Sequence, residues 1–130
     1  LLDSTLKKIS DRNKPFFIMV EGSQIDWGGE NNEIDYIISE FEDFEGAIKV
    51  AKEFTKNNSN TLLVVTADHE SGGLALTLGR TQGFSFRSDF SSAGHTASMV
   101  PVFSHGNKSE IFSGIYDNTQ IFHKIKEAIE

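Results

Sequence analysis

Asp68 and His69 stand side by side where an apolar run ends, in N-T-L-L-V-V-T-A-D-H-E-S-G-G over residues 60–73. A carboxylate oxygen next to an imidazole nitrogen suits a divalent cation or a proton transfer. More acids lie upstream, where V-E-G-S-Q-I-D-W-G-G-E places Glu21, Asp26 and Glu30 in one glycine-rich loop of ten residues. Three carboxylates this close repel one another unless a cation or solvent separates them. Glycine lets the backbone come near a bound ion. A further imidazole, His95, sits in the small, polar stretch 88–98. Any one of these groups alone reads as solvated surface, because charged side chains are mostly exposed. Taken jointly they are hard to explain as decoration, and a donor set of oxygens and imidazoles suits zinc, magnesium or manganese.

The elements that must position these groups follow from the hydrophobic pattern. Residues 61–66 are β-branched and apolar on both faces, which predicts a strand buried in the middle of a sheet. Residues 16–20 form a second apolar run that stops abruptly at Glu21. Both runs deliver candidate ligands at their carboxyl ends, where ligands bind in open α/β sheets. Between them Ile34, Ile37, Ile38, Phe41, Phe44, Ile48, Ala51 and Phe54 recur at steps of three and four. That spacing predicts an amphipathic helix of about six turns, with Asn31 or Asn32 capping its start and residues 57–60 closing it. With a first helix over residues 1–10, the order helix, strand, helix, strand reads as a right-handed crossover unit. The expected fold class is therefore α/β, a mainly parallel central sheet flanked by helices. Residues 74–78 and 84–86 read as a hairpin or sheet-edge excursion, and residues 99–104 as a further strand. Residues 106–114 read as a loop. Asn118 is expected to cap a last helix whose buried stripe is Ile121, Phe122, Ile125 and Ile129.

Composition bounds the reading. The chain has 130 residues, 38% of them hydrophobic and eleven of them Phe, enough for one core and hardly more than one domain. It has no cysteine, so disulfides and thiolate sites are excluded and any metal must be held by His, Asp and Glu. A formal net charge of -7, with no run of Lys or Arg, argues against a nucleic-acid or anionic-membrane surface. There is no apolar stretch long enough to span a bilayer. The first residue is Leu1, inside a helical pattern, so residues 1–130 are expected to be a single incomplete α/β domain, with any signal peptide upstream. Ser71, Ser91, Ser92 and Ser98 lie near the imidazoles without a nucleophile-elbow pattern. No Walker A or G-x-G-x-x-G sequence occurs. His105, in a loop after a strand, and His123, on the last helix, read as ordinary residues, and Glu70 either orients a neighbour or faces solvent.

The blocks V-E-G-S-Q-I-D-W-G-G, N-T-L-L-V-V-T-A-D-H-E-S-G-G and G-H-T-A-S-M-V-P-V-F, in that order and separated by a long helix, resemble the alkaline phosphatase family, most of all the carboxyl-terminal part of its bacterial members. The resemblance extends over nearly all of the chain. It implies an α/β fold with two zincs and one magnesium, and hydrolysis of phosphate monoesters through a covalent phosphoserine. By position it assigns Glu21 to magnesium, Asp26 and His95 to the first zinc, and Asp68 and His69 to the second. Trp27 stands where relatives often carry a residue near the phosphate, so it either lines the pocket mouth or packs on its own loop. Export to the periplasm or the cell exterior is the family's habit.

Two departures qualify the resemblance. Where the family has a histidine ligand to the first zinc, four residues after Asp26, this chain has Glu30. A carboxylate adds negative charge at the ion, leaving that site altered, weakened or selective for a harder cation. The family's nucleophilic serine, bridging aspartate, magnesium-binding Thr or Ser and phosphate-clamping arginine belong to an upstream half. The 130 residues alone are thus expected to be inactive. Another hydrolase of the superfamily, a phosphodiesterase or sulfatase, and a non-catalytic relative are the alternatives. Without the upstream half, sheet edges and apolar faces are left open, so these residues are expected either to self-associate, by pairing edges or swapping elements, or to be marginally stable. A homo-oligomer, a dimer, is the alternative to self-association of the fragment.

Overall fold

The computed structural model describes residues 1–80 and 85–130. The elements, in order, are α1 (Leu2–Ser10), α2 (Gln24–Glu30), α3 (Ile34–Asn57), β1 (Leu62–Thr66), β2 (Glu70–Ser71), β3 (Ala75–Arg80), β4 (Ser85–Asp89), β5 (His95–Thr96), β6 (Val102–Gly106), a 3-10 turn over Ser109–Phe112 and α4 (Thr119–Ile129). They fall into two compact units. One holds Leu1–Met19, Glu45–Asp68 and Pro101–Glu130; the other holds Val20–Phe44 and His69–Val100.

In the first unit β1 pairs antiparallel with β6, Leu62 opposite Gly106 and Thr66 opposite Val102. Buried here are Leu6 of α1, Phe112 of the 3-10 turn and Thr55 of α3, whose hydroxyl donates to the Ala51 carbonyl at 2.9 Å. Gly106 has a φ of 101°, a left-handed conformation that a side chain rarely adopts. Phe16 packs edge-on against Phe54, with ring centroids 6.2 Å apart. The Lys124 ammonium donates to the Ile111 carbonyl and lies 4.4 Å from the Tyr116 ring centre, tying α4 to the turn before it.

The second unit contains α2, the start of α3, the hairpin β3–β4 and the two-residue ladder β2–β5. β3 and β4 pair antiparallel from Ala75 opposite Asp89 to Arg80 opposite Ser85, with a register shift between Leu76 and Gly79. The expected hairpin is thus present, although Phe84 lies outside the described residues. Ile37 is the buried apolar residue of this unit among those described.

Several expectations need correction. The mainly parallel central sheet is absent: the three ladders among the described residues are two-stranded and antiparallel. An apolar run predicts burial and extension, but strand direction depends on which distant segment pairs with it, and β1 pairs with β6 rather than with the crossover partner. Residues 16–20 form no ladder among the described residues, and Phe17 and Met19 are exposed. β1 itself is half-buried, with Thr66 exposed. The stripe on α4 is not covered either, since Phe122 and Ile129 are exposed and line a shallow apolar groove with Ile125. Asn31 and Asn32 do not cap α3. Asn31 is the C-cap of α2, and Asn32 takes a left-handed φ of 58° in the turn that follows. Asn118 stands at the N-cap of α4 without a side-chain bond; the Asp117 carboxylate accepts from the Thr119 backbone N–H at 3.0 Å and its hydroxyl at 2.7 Å. His105 lies within β6, opposite Leu63, rather than in a loop.

Candidate metal centre

The stretch expected to be a glycine-rich loop is in part a helix. α2 carries two consecutive glycines, each costing a helix about 1 kcal/mol relative to Ala, and both are buried. The reason is contact. A Cβ on Gly28 would lie 2.9 Å from the Ile37 side chain, and one on Gly29 would lie 2.8 Å from Ser71 Cβ and 2.9 Å from the Ser71 carbonyl oxygen. Only a helix without side chains on this face can lie so close to β2. Asp26 and Glu30, four residues apart, share another face of it. The Tyr36 hydroxyl donates to the Gln24 side chain, joining the first turn of α3 to the first residue of α2.

The opposite wall is β2 and β5. Their register sets Ser71 opposite His95 and Glu70 opposite Thr96. Gly72, at a φ of 84°, continues the joint: its N–H donates to the Gly94 carbonyl at 3.0 Å, and its carbonyl accepts from Ser91 and Ser92, both at 3.1 Å. Side chains alternate along β2, so Ser71 and Glu70 fall on opposite sides, and the bend before the strand brings the His69 imidazole to the side of Ser71. Glu70 accepts from the Thr96 hydroxyl and from the N–H groups of Gly73, at 3.1 Å, and Leu74, at 3.2 Å. The Thr96 bond, then the two backbone bonds and His69 nearby, hold its carboxyl below the usual range against the opposing effect of burial. Glu70 thus fastens the loop that carries His69.

On the other side three donor groups converge. Asp26 Oδ1 lies 3.8 Å from His69 Nδ1 and 3.6 Å from His95 Nε2, and one donor atom from each of these three residues fits within 4.8 Å of the others. The two imidazoles stack, ring centres 3.5 Å apart and planes 19° from parallel. Glu30 Oε1 is 3.4 Å from the same His95 Nε2. The Ser71 hydroxyl donates to Asp26 Oδ1 and lies 3.2 Å from His69 Nδ1. One oxygen and two nitrogens in this space match the donors of a divalent transition cation. With side-chain exposures of 33% for Asp26, 26% for His69 and 51% for His95, the cluster is open enough for water or a substrate oxygen to complete the coordination.

Of the residues singled out in the sequence, Asp26, Glu30, His69 and His95 are brought together. Glu21 is exposed in the chain entering α2. Asp68 is exposed and ends the first unit, covalently joined to His69, which opens a stretch of the second. Trp27 lies on α2 and is 53% exposed. The sequence drew attention to Ser71 only as a nucleophile, and its bond to Asp26 was missed; the signal was its place two residues after His69. The class defined by these features is a metal-binding α/β protein, its acids on a glycine-faced helix and its imidazoles on, and in the bend just before, short strands.

Comparison with known proteins narrows this class. The sequence profile described as alkaline phosphatase matches residues 1–88. Alkaline phosphatase 3 of Bacillus subtilis is 30% identical, the match covering 100% of this chain and 43% of that protein. The Escherichia coli alkaline phosphatase is 30% identical over 99% of this chain and 31% of its own length. Among solved structures, the alkaline phosphatase of the Antarctic bacterium TAB5 superposes with a TM-score of 0.83 at 48% identity, over 92% of this chain and 36% of that one. A cold-active alkaline phosphatase from a psychrophilic Shewanella superposes at 0.88 with 26% identity, over 99% of this chain and 49% of that one. The chain belongs to the alkaline phosphatase family. It spans less than half the length of each of these relatives.

Proposed function

We propose that these 130 residues are the carboxyl-terminal, metal-binding part of a bacterial alkaline phosphatase that hydrolyses phosphate monoesters. The observation that carries this reading is the convergence of Asp26, His69 and His95 within 4.8 Å. In this reading Asp26 and His95 hold one zinc, Asp68 and His69 a second, and Glu21 a magnesium. Cations held by these residues would supply Lewis-acid stabilisation to the oxygens of a phosphoryl displacement. The chain's own residues hold and orient. Ser71 fixes one oxygen of Asp26, Glu70 anchors the His69 loop through Thr96, and Trp27 borders the pocket. The nucleophile that becomes phosphoserine is assigned to a segment outside these residues. The reading carries export to the periplasm or cell exterior with it.

The test uses the longest natural polypeptide that contains this sequence. It is stripped with a chelator, reloaded with zinc and magnesium, and assayed on p-nitrophenyl phosphate. Activity should return with metal. Asp26→Asn or His69→Ala should lower kcat/KM by about a hundredfold or more, since even groups that only support a ligand are worth 10–100-fold. Preference for bis-p-nitrophenyl phosphate or p-nitrophenyl sulfate would overturn the monoester assignment.

A further inference from the structure

The position of Glu30 carries an inference about which cation the site prefers. α2 presents Asp26 and Glu30 one turn apart on one face, and oxygens of both approach the same atom, His95 Nε2, at 3.6 and 3.4 Å. Like charges at this spacing destabilise a helix, and the sequence supplies no compensating cation nearby. Between Lys14 and Lys49 there are nine carboxylates and no lysine or arginine. A bound cation would relieve the repulsion. Its donors would be two carboxylates and one imidazole, and carboxylate oxygen favours hard cations such as manganese and magnesium, whereas imidazole favours zinc, copper and nickel. Two anionic ligands also neutralise a divalent ion, which reduces its power as a Lewis acid. Glu30, 41% exposed, can reach an ion without leaving its helix.

We infer that Glu30 completes, with Asp26 and His95, a two-carboxylate, one-imidazole site that shifts this centre from zinc toward an oxygen-preferring divalent cation of the manganese type. The inference rests on the metal-binding reading above and specifies it. It concerns the ratio of affinities, because zinc binds most donor sets more tightly than manganese in absolute terms.

The experiment is equilibrium dialysis of the longest natural polypeptide against equimolar manganese and zinc chlorides, with bound metals counted by mass spectrometry. Manganese titration followed by electron paramagnetic resonance runs alongside. Wild type, Glu30→Gln, Glu30→His and His95→Ala are compared, each checked by circular dichroism. Glu30→Gln should weaken manganese at least about tenfold and zinc less, and Glu30→His should raise the zinc-to-manganese ratio by at least about tenfold. An unchanged ratio in both Glu30 variants, with binding still lost in His95→Ala, overturns the inference and leaves the metal-binding reading standing. Absence of any binding, or binding indifferent to His95→Ala, overturns both.

Discussion

The same substitution, Gly to Ala, should have opposite effects in α2 and α3. Gly29 and Gly46 both lie in helices with ordinary negative φ, so Ala fits either backbone. Nothing lies within 4 Å of a Cβ at Gly46, where Ala simply removes the conformational cost of glycine. Gly46→Ala should stabilise by about 0.5–1 kcal/mol. At Gly29 the same methyl meets Ser71 Cβ at 2.8 Å, its carbonyl oxygen at 2.9 Å and its carbonyl carbon at 3.1 Å. Two of these are backbone atoms, which cannot rotate away, so overpacking belongs in the upper part of its range of about 1–3 kcal/mol. Setting this against a helix gain of at most about 1 kcal/mol leaves Gly29→Ala destabilising by about 2 kcal/mol. The shift also reaches function, because Ser71 bonds to Asp26 and pairs with His95. Urea denaturation followed by circular dichroism gives the sign, and zinc titration should show affinity falling about tenfold or more in Gly29→Ala alone. If Gly29→Ala is as stabilising as Gly46→Ala and binds zinc like wild type, the close seating of α2 on β2 is wrong.

Other expectations are simpler. Phe112, 3% exposed, should cost about 3–5 kcal/mol on substitution by Ala. Phe122→Ala, at a residue 67% exposed, should cost far less, and urea midpoints of the two variants decide it. Asp117 has its carboxyl held below the ordinary value, chiefly by the Thr119 hydroxyl and then by the Thr119 N–H. A lowered pKa means the contribution is present above the ordinary carboxylate range and disappears as pH falls through the lowered value. Asp117→Ala should therefore shift the urea midpoint most at pH 6 and progressively less as pH is lowered below the ordinary carboxylate range, and a shift that does not change with pH would contradict that capping role.

Local order was legible in the chain where periodicity is long. The stripe from Ile34 to Phe54 predicted α3, and the turn chemistry after Phe54 is visible in Asn58, whose amide donates to the Phe54 carbonyl at 2.8 Å. Sheet direction was not legible, because residues 61–66 read the same whether their partner runs parallel or antiparallel. α2 was hidden for a related reason. Gly28 and Gly29 lower helix propensity, and the contacts that compensate, to Ile37 and Ser71, are distant in sequence. The stripe on α4 has helical spacing, as expected, but spacing does not say whether anything covers it. The metal candidates were legible as residue types, and their resemblance to known blocks placed them. That Asp26, His69 and His95 meet depends on a two-residue ladder, Glu70 with Thr96 and Ser71 with His95, too short to announce itself. Glu30 was conspicuous in the sequence, but its approach to His95 needed the helix that puts it one turn from Asp26.

The central claim, that Asp26 and His95 hold one divalent cation and His69 an adjacent one, is tested most directly by anomalous diffraction. Crystals of the longest natural polypeptide containing the sequence, soaked in zinc and separately in manganese, would be measured on both sides of each absorption edge. The account predicts anomalous peaks about 2.0–2.2 Å from Asp26 oxygen and from imidazole nitrogens of His69 and His95. A fully ordered cluster with no peak near those atoms, in crystals that bind metal elsewhere, would contradict it.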